Sequence, residues 1–344
     1  MDRRGLRPRD DEIIPPSRSF PSSRVLPSLR SFPPSRVFPS LRGFSSSRVF
    51  PSLRGFSSLR AKRGNPCIRL ALLLCLSLLA LTSSAAEPTQ VSFASLDGTP
   101  IKAWLFQPPE RARGTVLALH GCGGLYARAG TRQGQLNARH QAMADMLLAQ
   151  GYAVLFPDSL TSRGVTQICT QRIGSRLITQ TERRQDALAG MNWVAAQPWA
   201  NSSRVALLGW SHGGSAVLSA TDAKHVQVAA QSVKPRVAIA FYPGCSAARK
   251  AGYQPNTQLV MLLGALDDWT PPEPCVALGK ELGAEVHVYA DSYHDFDNPV
   301  GVVKLRTDVP NGVHPGQGVH AGPNREAREQ AYALVRQLLS AAFD

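Results

Sequence analysis

The residues Gly209-Trp210-Ser211-His212-Gly213-Gly214 set a serine hydroxyl inside a G-x-S-x-G pattern. An apolar run, Arg204–Leu208, precedes it and a helix-like pattern, Gly213–Thr221, follows, so the serine falls on a strand-to-helix turn. Such a turn is too tight for Cβ atoms beside the serine, and it lifts the hydroxyl over the sheet edge at a helix N-terminus. The chemistry this suits is nucleophilic attack on an acyl carbon. A serine hydroxyl is a poor nucleophile until a base takes its proton, so the pattern demands a histidine within reach and a carboxylate to hold that histidine.

With this turn the acid and then the base follow the serine along the chain. The apolar run Leu259–Leu263 ends in Gly264-Ala265-Leu266-Asp267-Asp268-Trp269-Thr270-Pro271, and Glu285–Tyr289 is followed by Asp291-Ser292-Tyr293-His294-Asp295-Phe296. We assign Asp267 as the orienting acid and His294 as the general base, with Asp268 the competing acid. His225 comes too early, His287 lies inside a strand, and His314 and His320 fall in a Gly/Pro-rich loop where solvated surface is expected. The oxyanion needs donors, each worth about 2.7–4 kcal/mol in comparable sites. Leu119-His120-Gly121-Cys122-Gly123-Gly124 ends another strand, and the amide of Cys122 is expected to pair with that of His212, the residue after the nucleophile. Within that loop Cys122 lacks an elbow of its own, and His120 is expected to be a packed strand-end residue. Arg163, in the loop after Tyr152–Phe156, is a candidate to hold a substrate carboxylate, the alternative being an arginine that braces its own loop.

The elements that must position these residues alternate. Gln90–Ser95 and Ile101–Gln107 form a hairpin through Asp97-Gly98. Strands are then expected at Thr115–Leu119, Tyr152–Phe156, Arg204–Leu208, Val237–Phe241, Leu259–Leu263 and Glu285–Tyr289. Helices are expected at Leu136–Gln150, Glu182–Ala196, Gly213–Thr221, Pro274–Leu282 and Asn324–Ala342. That order predicts an α/β fold, a mostly parallel twisted sheet with helices on both faces and its site at the carboxyl ends of the strands.

Together the elbow, His120-Gly121-Cys122-Gly123-Gly124, Gly264 to Asp267 with Pro271, and His294-Asp295-Phe296 resemble the dienelactone hydrolase branch of the α/β-hydrolase fold, over roughly residues 90–342. The resemblance implies one lidless domain, no cofactor, and hydrolysis of an ester or lactone through an acyl-enzyme. The founding enzymes of that family carry cysteine at the elbow where this chain has Ser211. A peptidase or acyl-transferase on the same triad, or a catalytically silent binding module, are the alternatives. The residues here supply no large accessory domain to restrict a peptidase to small peptides.

The chain has 344 residues, 43% hydrophobic and 18% charged, enough apolar material for one large domain. Its 38 Lys and Arg against 24 Asp and Glu give a net charge of +14, which would ordinarily point to nucleic acid or an anionic membrane. Location decides against both. Residues 1–86 hold 15 of the bases and four of the acids, leaving 23 and 20 for residues 87–344. Residues 1–60 carry a Ser/Pro/Arg repeat of period twelve, seen from Ser19 to Arg30, Ser31 to Arg42 and Gly43 to Arg54, which is expected to be disordered.

Lys62, Arg63 and Arg69 then lead into apolar Leu70–Leu81 and the small residues Thr82-Ser83-Ser84-Ala85-Ala86, the pattern of a signal peptide over residues 61–86. The apolar run is too short for a membrane span, which takes about 20 residues. A signal peptide belongs at an N-terminus, so translation is expected to start near residue 50–60. The mature chain, 87–344, is then a periplasmic or secreted monomer or small homo-oligomer. It is expected to act on a small-molecule ester or lactone, with no nucleic acid partner and no membrane once the signal is cleaved.

Export places Cys122, Cys169, Cys245 and Cys275 in an oxidising compartment, where the absence of C-x-x-C spacing or a histidine cluster favours disulfides over zinc. Of three pairings, Cys122 with Cys169 and Cys245 with Cys275 is expected from their places near the strand ends.

Overall fold

In Thr89–Ala94 (β1) and Pro100–Phe106 (β2) buried and exposed residues alternate, and the two strands pair antiparallel. The turn between them closes where the Thr99 amide donates to Asp97 Oδ1 at 2.9 Å. These strands belong to a computed structural model of the chain in which residues 87–344 are described. The repeat expected at 1–60 and the signal peptide expected at 61–86 lie outside the described residues.

Six more strands join the hairpin: β3 (Thr115–Leu119), β4 (Ala153–Pro157), β5 (Val205–Trp210), β6 (Val237–Phe241), β7 (Gln258–Gly264) and β8 (Glu285–Tyr289). The sheet runs β1-β2-β4-β3-β5-β6-β7-β8, antiparallel where β2 meets β1 and β4 and parallel elsewhere. Every residue of β3, β4, β5 and β6 is buried, the signature of strands covered on both faces.

The covering helices are α1 (Ala138–Ala149), α2 (Gln180–Ala195), α3 (His212–Ala220), the short α4 (Val226–Ala229) and α5 (Ser246–Lys250), α6 (Glu273–Leu282) and α7 (Arg325–Phe343). Because strand side chains alternate, Val116, Val154, Leu208, Ile239 and Leu262 face one way, onto Met143 and Leu147 of α1 and Val335, Leu339 and Phe343 of α7. Leu117, Leu155, Leu207, Ala238 and Met261 face the other way, onto Leu188 and Met191 of α2, Val217 of α3 and Leu278 of α6. Truncating any of these buried leucines to alanine costs about 2–5 kcal/mol.

The expected mostly parallel α/β sheet is therefore present. Helix α2 starts two residues earlier than expected because Thr179 and Glu182 form a capping box that begins it at Gln180. The Gly/Pro-rich loop holds a small antiparallel ribbon, β9 (Lys304–Arg306) with β10 (Val319–Ala321), which periodicity alone does not reveal. Disulfides join Cys122 to Cys169 and Cys245 to Cys275. The first sits in a separate apolar cluster over the strand ends, with Leu160, Ile168, Ile178, Trp269, Val309 and Val319.

Candidate active site

Ser211 stands between β5 and α3 with φ +55° and ψ −117°. A non-glycine residue held in such a conformation costs on the order of 1–3 kcal/mol, so the surroundings must enforce it. The Ser211 amide donates to the Phe241 carbonyl at 2.9 Å, and its carbonyl accepts from the Ser215 amide at 2.8 Å. The glycines of the motif are explained by contact. A Cβ on Gly213 would stand 2.0 Å from the Leu119 carbonyl oxygen, and one on Gly209 would stand 2.3 Å from that of Gly213. The elbow is thus pressed directly against the loop that leaves β3, and a Cβ on Gly121 of that loop would lie 3.5 Å from Ser211 Cβ.

His294 follows β8, and its Nδ1 lies 2.8 Å from Oδ2 of Asp267, which follows β7. Both side chains are buried. Asp267 Oδ1 accepts from the amides of Trp269 and Thr270 at 2.9 Å each, and Oδ2 also accepts from the Thr270 hydroxyl at 3.0 Å. The carboxylate is therefore fixed before it meets the histidine. The imidazole lies against Trp269 and Tyr242, whose ring centroids are 4.6 and 4.5 Å away, and its Nε2 is buried without a partner. Asp268 turns elsewhere: its two oxygens meet the amide and Nδ1 of His320, each at 2.7 Å. The missed ribbon has a role here, since the His294 carbonyl accepts from the Gly322 amide, just past β10, at 2.9 Å.

Neither the Cys122 amide nor the His212 amide donates to another described residue. Cys122 and His212 flank the Gly121–Ser211 contact from the two sides, and the Cys122 carbonyl is tied to the Ile168 amide at 2.9 Å, next to the disulfide. Arg163 is placed differently from the substrate-holding candidate. Its four terminal N–H groups donate to Asp186 Oδ1 and Oδ2 (2.8 Å each), Asp97 Oδ2 (3.0 Å) and the Ser159 carbonyl (3.0 Å), so it braces the hairpin against α2. With those donors committed, Arg163 leaves the candidate site.

Several residues at the site carry no motif. Asp297, wholly buried, accepts from Trp210 Nε1 at 2.7 Å and from the Tyr242 hydroxyl at 2.5 Å. One carboxylate thereby links the residue before Ser211, the end of β6 and the segment after His294. Arg139 donates to Tyr242 and to Asp295 beside it. Arg176 is half-buried, and its guanidinium meets no hydrogen-bond or ion-pair partner among the described residues, with Nε sealed from solvent. Burial pushes the His212 imidazole well below its ordinary pKa, with the charges of Arg183 and Arg176 acting in the same direction, and its carbonyl accepts from Gln180 Nε2, four residues beyond Arg176, at 3.2 Å. An arginine without a partner is found only by folding, so Arg176 had no signal in the sequence. Among the described residues no three His, Cys, Asp or Glu side chains converge to hold a metal ion.

Comparison with known proteins fits this geometry. No curated protein matches the chain significantly in sequence. Among solved structures, the chain is similar to P91, a dienelactone hydrolase-like promiscuous phosphotriesterase from metagenomic libraries, at 19% identity and TM-score 0.55, covering 76% of this chain and all of that one. A second structure, m3DLH, is similar at 18% identity and TM-score 0.55, covering 75% and 100%. The acylaminoacyl peptidase of Pyrococcus horikoshii is similar at 15% identity and TM-score 0.50, covering 78% of this chain but only 43% of that one. At these identities the structures share the α/β-hydrolase fold. The dienelactone hydrolase family model matches residues 103–343, most of the chain, and the protein belongs to that family of hydrolases.

Proposed function

We propose that this hydrolase cleaves a carboxylic ester or lactone through an acyl-enzyme on Ser211. The observation that carries the reading is the buried 2.8 Å pair between His294 Nδ1 and Asp267, at the same sheet edge as a strained serine. Asp267 accepts from Nδ1–H, leaving Nε2 as the basic nitrogen. Nε2 takes the Ser211 proton as Oγ attacks the carbonyl carbon. The amides of Cys122 and His212 hold the oxyanion, and protonated His294 then delivers the proton to the leaving alcohol. Water, activated by the same nitrogen, releases the acid.

Arg176 bears on the substrate class. It is an unpaired, partly desolvated cation four residues before Gln180, whose Nε2 donates to the His212 carbonyl, and such a charge favours an ester or lactone that carries an anionic group of its own.

Ser211→Ala tests the reading: it should melt like the parent, fail to react with a fluorophosphonate and lose nearly all turnover. Substantial turnover in a folded Ser211→Ala overturns it. The likeness to an acylaminoacyl peptidase supports a second reading, a peptidase on the same triad. Cleavage of short-chain aryl esters but not of aminoacyl amides favours the esterase.

The domain division we propose keeps residues 61–86 as a signal peptide after the 1–60 repeat, with 87–344 as the exported enzyme. Two disulfides are compatible with a periplasmic or secreted location, and no helix among the described residues is long and apolar enough to cross a membrane.

A further inference from the structure

Arg183 breaks three local rules at once. It lies in the first turn of α2, where a cation opposes the helix dipole. It is 1% exposed. No carboxylate among the described residues pairs with it: Asp186, three residues on along the helix, is already taken by Arg163 and by the Ser95 hydroxyl. Burial draws its pKa down to about 10, which still leaves it charged at neutral pH. Such conflicts between local preference and final structure concentrate at functional sites.

Among the described residues, its side-chain hydrogen bonds all go to one residue. Nη2 donates to the His120 carbonyl at 2.6 Å. Nη1 lies 2.9 Å from His120 Nε2 and 3.4 Å from Nδ1, so the guanidinium rides over the imidazole face rather than along a ring lone pair. The ring's Nδ1 is 2.8 Å from the Gly121 carbonyl oxygen. A carbonyl only accepts, which puts a proton on Nδ1, and a cation against the ring disfavours a second proton. Burial first, and Arg183 after it, hold the His120 pKa well below its ordinary value.

Two consecutive peptide planes are fixed in this way. Arg183 holds the His120–Gly121 peptide by its carbonyl, and the His120 ring holds the Gly121–Cys122 peptide by its carbonyl. The N–H on the far side of that second peptide is the Cys122 amide. The geometry points to Arg183 as a positioning residue that aims the Cys122 amide at the oxyanion through a neutral, Nδ1-protonated His120. This rests on the serine-hydrolase reading above.

In the parent enzyme, ring 15N NMR should find His120 protonated on Nδ1 alone from pH 5 to pH 8. A proton on Nε2 in that range overturns the proposal, whether or not any variant folds. Arg183→Met should lower kcat about tenfold while KM moves less than about twofold, and should weaken a boronate transition-state analogue by the same factor as kcat. Arg183→Lys should recover part of the loss. His120→Phe should reproduce the Arg183→Met defect, and the double variant should be no worse than either single one. Additive losses, or an unchanged kcat in a folded Arg183→Met, refute the link. Failure of the underlying reading looks different: Ser211→Ala would then keep its turnover and the parent would not take a fluorophosphonate label.

Discussion

Asp267 and Asp268 are neighbours in sequence yet serve different histidines: Asp267 meets Nδ1 of His294 at 2.8 Å, and Asp268 meets Nδ1 of His320 at 2.7 Å. The first pair is sealed inside the protein and the second is partly open to solvent. If Asp267 sets the tautomer of His294, Asp267→Asn should keep the fold but lower kcat by about 10⁴-fold. Asp268→Asn removes only a clasp on the ribbon and should change kcat no more than a few-fold. Steady-state kinetics on the two variants check this, and comparable losses in both would defeat the assignment of the acid.

The two disulfides should separate stability from turnover. Cys122–Cys169 closes a separation of 47 residues and Cys245–Cys275 one of 30, each worth about 3–4 kcal/mol on chain-entropy grounds. Replacing either pair by alanines should therefore lower the melting temperature. The Cys122 pair also anchors the loop of the proposed oxyanion donor, so its loss should lower kcat as well, whereas the Cys245 pair should leave kcat within about twofold. Melting curves and kcat measured on both double variants give the comparison.

What could be read from the chain depends on how local each determinant is. Ser211 was legible because its turn needs glycines at fixed offsets, and contacts such as Gly213 with the Leu119 carbonyl show why no other residue fits. Asp267 and His294 were legible as residues that follow apolar runs in a fixed chain order. The preference for Asp267 over Asp268 had no such footing, since the partner that holds Asp268 is His320, 52 residues further on. Arg163 looked available for substrate because nothing near it in sequence announces Asp97 and Asp186 as its partners. The clasp of Trp210 and Tyr242 by Asp297 likewise exists only once β5, β6 and the segment after β8 lie side by side.

Acid should destabilise the protein through histidines buried neutral. His140 packs against Trp210 and Phe156 with Nδ1 3.1 Å from the Leu125 carbonyl, and burial, aided by Arg139, lowers its pKa from 6.5 to about 3. His120 and His212 are pushed well below the ordinary value by the same cause. Between about pH 6.5 and pH 3 the unfolded chain binds a proton on His140 that the folded chain refuses. The contribution to stability is thus complete above about pH 6.5 and declines as pH falls through that window, by about 1.4 kcal/mol per pH unit for each such histidine. Urea unfolding at pH 7, 6 and 5 should show a proton uptake that grows as the pH falls, and His140→Phe should remove about one proton of it near pH 5. A pH-independent stability over that range would contradict it.

Arg176 should discriminate substrates by charge. Its guanidinium is half-buried and has no partner among the described residues, so its charge is uncompensated there. A hydrogen bond to a charged group is worth about 1.5–3 kcal/mol, or roughly ten- to a hundredfold in binding. Arg176→Gln should therefore raise KM about tenfold or more for an ester bearing a carboxylate, while a neutral ester of the same size changes less than about twofold. Salt should raise KM for the anionic ester in the parent enzyme and have little effect in the variant, because screening acts only where a charge pair exists. Equal changes for the two esters would assign Arg176 to its loop rather than to the substrate.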